Sequence, residues 1–374
     1  MSDITKHPQE REGAEGEQDA RMDISVVSKA GYKLLRENKL AEARERFQSI
    51  LAIDPANNYA LVGLGDAARK QGDSAQAIAL YQRCLESHPG NTYALFGLAD
   101  CFKALDRHEE AIKAWEKYLE SDSGNITVLT RVANAYRKIK DFAKAKAAFM
   151  RVLEIEPDNP YAITGLGHLH YDFKEYREAL SYWDRMTRLS LKESDVRVLT
   201  SIGNCHRKLK TFAEGVQPFE LVLKREPRNF YAIFGLADCY RGMSRHGDAL
   251  RYWKLLLEQE PDNKEILTRS GDAHRSMGEL EVARDFYDRA LAVGFDVYAA
   301  LGIALVSKER RDFLDASQRL RVLLAREPSN QRVVAELVSC LIKLGERQEA
   351  LDTLKQFQSA NGPSAQITEM LQRI

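Results

Sequence analysis

The sequence predicts an all-helical solenoid of tandem helical hairpins, and three observations predict it. Pro55, Pro89, Pro157, Pro227, Pro261 and Pro328 are separated by 34, 68, 70, 34 and 67 residues, a period of 34. Laid out on that period, small residues recur in one register (Gly31, Gly65, Ala99, Ala133, Gly167, Gly203, Ala237, Gly271, Ala304). Alanine recurs twelve places later, and a large apolar side chain four beyond that. Within each period the apolar residues recur twice at helical spacing, on either side of a polar turn such as Gln71-Gly72-Asp73. A chain of 374 residues is long for one globular core, but a stack of repeats removes that limit.

Residues 1–23 are polar and charged and read as a disordered tail. Ten hairpins follow through residue 364, beginning near Ile24, Asn58, Thr92, Ile126, Pro160, Val196, Phe230, Lys264, Val297 and Gln331. Their second helices carry Phe47, Tyr81, Trp115, Phe149, Trp183, Phe219, Trp253, Tyr287, Leu320 and Leu354 in one register. Small residues let paired helices approach closely, and the large one fills the gap against the next hairpin. The pattern breaks where Glu193-Ser194-Asp195 adds two residues and where Gly215 and Pro218 enter a second helix. A proline inside a helix removes a hydrogen bond and costs about 3 kcal/mol, so a bend is expected near residues 190–220. Residues 365–374, with Ile367, Leu371 and Ile374 on one stripe, read as a capping helix.

The second unit, NYALVGLGDAARKQGDSAQAIALYQRCLESHPGN, together with the period and the small, small and proline positions, resembles the tetratricopeptide repeat. The resemblance covers residues 24–364 and implies a right-handed superhelix whose first helices line a concave groove. It further implies that the second, fifth, sixth, ninth, twelfth and thirteenth residues of each first helix face that groove.

A second period lies inside the first. The third, fifth and seventh hairpins open with YALFGLADC, YAITGLGHL and YAIFGLADC and carry the three tryptophans; the fourth, sixth and eighth read VLTRVANAYRK, VLTSIGNCHRK and ILTRSGDAHRS. On the implied groove this places Tyr93, Phe96, Asp100 and Lys103, then Thr130, Arg131, Asn134 and Arg137, then Tyr161. It continues with Thr200, Asn204 and Arg207, with Tyr231, Asp238 and Arg241, and with Thr268, Arg269, Asp272 and Arg275. Gly63, Gly97, Gly165, Gly235 and Gly302 would lie beside the tyrosines. The Asp/Asn-x-x-Arg/Lys ladder, which includes Asp66/Arg69, has two readings. As helix decoration, each pair contributes about 0.2–0.5 kcal/mol. As a binding surface, its arginines grip carboxylates or carbonyls of an extended partner while the tyrosines supply contact area.

No HExxH, phosphate-binding loop or GxSxG is present, and no cofactor is implied. His168 and His170 are two apart and point to different faces. His170, His206 and His274 stand where other hairpins have Phe102, Tyr136 and Tyr240, and read as packed aromatic substitutes. Cys101, Cys205 and Cys239 share one repeat position and read as small core residues; five scattered cysteines without a Cys-x-x-Cys fit reduced thiols in a cytoplasm. No run of 18 apolar residues argues for a membrane span, and Lys plus Arg equal Asp plus Glu at 55 each, which argues against a nucleic-acid partner. The function expected is a non-enzymatic scaffold that holds a partner protein or peptide in the groove. Recognition of a repetitive polymer, glycan or nucleic acid, is the alternative, as is a regulatory subunit that positions a separate enzyme. The lysine place of the family's carboxylate clamp holds Ser28, Val62, Phe96 or Thr130, which argues against a chaperone-tail adaptor.

Overall fold

The computed structural model describes residues 24–189, 196–362 and 364–373, and these are all-helical apart from turns. They form two compact units, one of residues 24–189 and one of residues 196–373. The 1–23 tail, the Glu193-Ser194-Asp195 insertion and Ile374 lie outside the described residues.

Unit 1 holds five hairpins: α1 (24–36) with α2 (Leu40–Ile53), α3 (Asn58–Lys70) with α4 (Ser74–Ser87), α5 (Thr92–Ala104) with α6 (His108–Ser121), α7 (Ile126–Lys138) with α8 (Phe142–Ile155), and α9 (Pro160–Asp172) with α10 (Tyr176–Leu189). Unit 2 holds α11 (Val196–Leu209) with α12 (Phe212–Arg225), α13 (Phe230–Gly242) with α14 (His246–Gln259), α15 (Lys264–Ser276) with α16 (Leu280–Val293), α17 (Val297–Glu309) with α18 (Phe313–Arg326), and α19 (Gln331–Leu344) with α20 (Arg347–Asn361). A last helix, α21 (Ala365–Arg373), packs against α20, with Ile367 fully buried and Leu371 against the same cluster. Within each unit every helix packs against its chain neighbours, and first helices also meet the next first helix, as in α3 with α5 and α11 with α13. Each unit is therefore a helical solenoid.

Local chemistry repeats as faithfully as the core. Asn57, Asn91, Asn125, Asn159, Asn229, Asn263 and Asn330 each cap a first helix, the side-chain oxygen accepting from the backbone N–H three residues on. The prolines end the preceding second helices because the residue before a proline is pushed to extended backbone; Asp54 and Glu156 lie at φ −129 and −128. Each hairpin turn holds one left-handed residue. It is Gly72, Gly278 or Gly345 in three hairpins and Asn38, Asp106, Lys140, Lys174, Lys210, Ser244 or Arg311 in the others.

The ten large side chains of the second-helix register are all fully buried, and so are the nine alanines before them. Where the small residue of the first helix is glycine, the ring of the same hairpin lies over it: a Cβ on Gly65 would stand 2.6 Å from Tyr81 Cε1, and one on Gly203 2.6 Å from Phe219 Cε2. The same rings reach the next hairpin. A Cβ on Gly63 would lie 2.4 Å from Phe47 Cζ, on Gly97 2.4 Å from Tyr81 Cζ, and on Gly165 2.3 Å from Phe149 Cε1. On Gly235 it would lie 2.2 Å from Phe219 Cζ, and on Gly302 2.3 Å from Tyr287 Cζ. This corrects the expectation that these five glycines line a groove. They are buried, and a ring from the preceding hairpin occupies the space a side chain would take.

The alternation of tryptophan follows from the same contact. Wherever a second helix carries Phe47, Tyr81, Phe149, Phe219 or Tyr287, the next first helix offers glycine. After Trp115, Trp183 and Trp253 the same place holds Arg131, Ser201 and Arg269. Within its own hairpin Trp183 packs tightly, a Cβ on Gly167 meeting its Nε1 at 2.2 Å.

Pro218 does not break its helix: α12 is helical from Phe212 to Arg225, with Pro218 buried inside it. Gly215 stands where the other hairpins have alanine. A Cβ there would lie 2.9 Å from Cys239 Sγ and 3.4 Å from the Gly203 carbonyl, so glycine is what lets α12 lie against α11 and α13 at this point.

Candidate functional site

The residues singled out for the groove fall into two classes: those whose polar atoms are bound within the fold and those that are not. The ladder belongs to the first. Its pairs are spaced to face one another on one helix, yet its strongest contacts run between hairpins. Arg137 Nη1 donates to Asp172 Oδ2 of the next first helix at 2.7 Å, and Arg275 pairs with Glu309 of the next. Asn134 donates to the Thr130 carbonyl of its own helix at 2.9 Å, and the Thr130 and Thr200 hydroxyls donate to carbonyls four residues back. Thr268 is buried and donates to Asp296 Oδ2 at 3.2 Å. Asp272 accepts from the Tyr287 hydroxyl at 2.7 Å, as Asp66 accepts from Tyr81 at 2.8 Å. Burial and the adjacent carboxylate push both phenols well above the ordinary range, so they remain protonated donors.

The nine-residue sequence written twice builds the same cluster in each unit. In unit 1, Asp100 accepts from Arg131 of the next hairpin, with Arg69 of the preceding hairpin 4.0 Å away, and the Arg131 guanidinium lies 4.8 Å from the Phe96 ring centroid. In unit 2, Asp238 holds three arginines: Arg207 at 2.6 Å, Arg241 at 2.7 Å and Arg269 at 2.9 Å. Arg269 and Arg207 lie 5.1 and 5.3 Å from the Phe234 ring centroid. Arg207 also donates to Asn204 Oδ1 at 2.7 Å. Burial alone would raise the Asp238 carboxyl; the charges of Arg207, Arg269 and Arg241 outweigh it and hold the group below its usual range.

The signal for this cluster was present in the sequence as a joint change. The fifth hairpin has Thr164 and His168 in place of Phe96 and Asp100, and the hairpin after it has Ser201 in place of Arg131. Arginine occurs at that place only after a hairpin with both phenylalanine and aspartate.

The second class is what a ligand could meet. Tyr93 is 78% exposed, Tyr161 74% and Tyr231 73%; Tyr59 and Tyr298, at the same repeat position, are 61% and 63%. Lys103 is exposed and forms no ion pair among the described residues. At the start of unit 1, α1, α3 and α5 enclose a cleft of about 850 Å³ whose lining includes Tyr32, Tyr59, Val62, Asp66 and Tyr93. The second, fifth and ninth positions of these first helices therefore share one face. Sequence reasoning missed Tyr32 and Arg36, which reach this cleft from the hairpin preceding the repeated motif.

His170 and His274 pack as expected. His170 is buried, stacked on Tyr182 at 5.3 Å and edge-on to Phe142, and His274 stacks on Phe286 at 5.2 Å. All five cysteines are buried free thiols, and burial pushes Cys101 up to about 11 and Cys205 and Cys239 up to about 12. No described helix is long and apolar enough to cross a membrane.

Among solved structures, PilF of Pseudomonas aeruginosa is 18% identical over 57% of this chain and 96% of its own, with a TM-score of 0.47. YrrB, described as a TPR protein with an unusual peptide-binding site, is 17% identical over 50% of this chain and 96% of its own, with a TM-score of 0.46. Yeast Tom70 is 12% identical over 94% of this chain and 95% of its own, with a TM-score of 0.44. No curated protein matches the chain. Models of the tetratricopeptide repeat match residues 29–92, 62–126, 126–159, 234–296 and 309–374. With the 34-residue hairpins on either side of the unit boundary, these matches establish that the chain belongs to the tetratricopeptide repeat family.

Proposed function

We propose that this chain is a protein-interaction scaffold in which the first-helix face of each unit holds an extended segment of a partner protein. The observation that carries it is the row of tyrosines at the second repeat position. Tyr59, Tyr93, Tyr161, Tyr231 and Tyr298 are more than half exposed beside a network whose charges are already matched. Tyrosine gives large amphipathic contact area at low entropic cost, and the ion pairs hold the backbone beneath it in one conformation. The ladder arginines thus position the surface rather than grip the partner. Arginines bound by carboxylates are also poorly placed to neutralise phosphates, which favours a peptide over a nucleic acid. Buried, high-pKa thiols and no catalytic constellation fit a non-enzymatic, cytoplasmic adaptor.

The test replaces these five tyrosines with alanine in the full chain and compares proteins captured from native lysate by quantitative mass spectrometry. The exposed substitutions should leave the melting curve in place while the wild-type partners are lost. Identical capture by the variant would reject the tyrosine face as the binding surface.

A further inference from the structure

The asparagine caps depart from their own pattern at one place in unit 1. At Asn57, Asn125, Asn159, Asn229 and Asn263 the side-chain oxygen caps the helix while Nδ2 donates to an acidic side chain three residues earlier. At Asn91 the residue three earlier is His88. The Asn91 oxygen still accepts from the Ala94 N–H at 2.9 Å, but its Nδ2 donates to no acceptor among the described residues. That spare donor lies in the wall of the cleft of about 850 Å³ between α1, α3 and α5.

The rest of the wall is short of acceptors in the same way. Lys29 and Arg36 are exposed and form no ion pair among the described residues; Glu37, beside Arg36, is taken by Lys39 at 3.1 Å. The one carboxylate of the wall, Asp66, already accepts from Arg69 at 3.3 Å and from the Tyr81 hydroxyl at 2.8 Å. Elsewhere on the first-helix faces Arg131, Arg207, Arg269 and Arg275 each meet a carboxylate. Here unmatched cations and an unmatched amide coincide beside the rings of Tyr32, Tyr59 and Tyr93, and a ligand that completes the cleft brings negative charge and carbonyl oxygens.

Spacing narrows the ligand further. Lys29 and Arg36 are seven residues apart, two turns of α1, so they stand on one side of the helix about 10 Å apart along its axis. A polyproline II segment has three residues per turn and rises about 3.1 Å per residue, so side chains three apart share one side at roughly 9 Å, with the backbone carbonyls free to accept. We infer that the cleft takes an acidic segment of the partner protein in this conformation, two carboxylates three residues apart on Lys29 and Arg36 and a backbone carbonyl on Asn91. The lysine place of the family's terminal-carboxylate clamp is Ser28, which also lines the cleft, so the segment is internal and needs no free C-terminus. This inference rests on the scaffold reading and gives the partner's chemistry at the start of unit 1.

The probe is a rhodamine-labelled peptide blocked at both ends, with two glutamates separated by proline and leucine, titrated with the full chain and read by fluorescence anisotropy. Saturable binding is expected, weakened several-fold in about 1 M salt, where the screening length falls to ~3 Å. Placing the glutamates side by side, or exchanging them for glutamine, should weaken it at least about tenfold, as should Lys29→Glu with Arg36→Glu in the chain. Asn91→Ala should cost roughly threefold. The charge-reversed chain should keep its circular dichroism melt and bind a probe with lysines in place of the glutamates, an outcome that misfolding could not produce. A probe that does not saturate overturns the inference, and so does binding indifferent to glutamate spacing or to Lys29 and Arg36. Equal affinity for an oligothymidylate of the same length also overturns it in favour of a nucleic acid, and self-association abolished by Lys29→Glu with Arg36→Glu would put a second copy in the cleft instead. Partners captured from lysate that are lost with the five tyrosines but kept by the charge-reversed chain would reject the acidic segment and leave the scaffold reading standing.

Discussion

Arg207 Nη2 lies 2.6 Å from Oδ2 of Asp238, thirty-one residues further along the chain, and Arg269, thirty-one residues further again, reaches back to Oδ1 at 2.9 Å. One carboxylate thus ties three consecutive first helices of unit 2, with its side chain only 9% exposed. Asp238→Ala would leave three partly buried guanidinium groups without their shared anion. Losing one partner of a buried pair costs ~3–5 kcal/mol, and the partial exposure of these arginines lowers the expected loss to about 2–4 kcal/mol. Denaturant unfolding of the two chains measures it. A change below about 0.5 kcal/mol, the value of an exposed pair, would return the cluster to surface decoration.

The same carboxylate makes unit 2 sensitive to acid. Its folded pKa is depressed by the three arginines, so the stabilisation is fully present above the unfolded carboxylate value near ~3.9 and is lost as pH falls through the lower folded value. Stability of the wild-type chain should therefore decline more steeply below about pH 4 than that of Asp238→Asn, which cannot titrate. Parallel pH profiles for the two would show that other carboxylates carry the acid response.

Ring size and glycine are coupled between hairpins. Gly165→Ala places a Cβ 2.3 Å from Phe149 Cε1 and should destabilise unit 1 by about 1–3 kcal/mol, the usual cost of overpacking. Trp115 shares its hairpin with Ala99 at the small-residue position and is followed by Arg131; Phe149 shares its hairpin with Ala133 and is followed by Gly165. Phe149→Trp should therefore relieve the Gly165→Ala penalty, and the double-mutant cycle should show a favourable coupling of at least ~1 kcal/mol. Additive losses would mean that the indole leaves no room for the added methyl at this hairpin.

The parts of this structure legible in the sequence are those fixed by short-range rules repeated many times. The alanine register, the buried rings from Phe47 to Leu354 and the histidine substitution at His170 follow from helical spacing and side-chain volume, both of which the period displays. What escaped depends on contacts between successive hairpins. Gly97 and Gly165 read as groove residues because the family resemblance assigns the sixth position of a first helix to the groove, while the rings that bury them lie sixteen residues upstream, in the preceding hairpin. Arg137 and Asn134 looked like a facing pair because three residues separate them; the acceptor that wins, Asp172, lies 35 residues away. Pro218 pointed to a bend, yet α12 runs on through it; the close Gly215 approach to Cys239 beside it is again a contact between hairpins.

The hairpin turns offer a stabilising change that touches no side-chain contact. Lys140 sits at φ 65 and Arg311 at φ 65, in the left-handed region where a Cβ costs ~1–2 kcal/mol, whereas Gly72, Gly278 and Gly345 hold the same turn position at φ 81 to 84. Glycine relieves that strain but loses more entropy on folding, by roughly 0.5–1 kcal/mol, so the net gain is the difference. Lys140→Gly and Arg311→Gly, one in each unit, should each stabilise by about 0.5–1 kcal/mol. The control is Gly278→Lys, which should destabilise by a similar amount, since nothing crowds that glycine and only its backbone conformation is at stake. Chemical denaturation of the three variants gives the sign in each case, and a destabilised Lys140→Gly with an unaffected Gly278→Lys would show that the turn places no demand on φ.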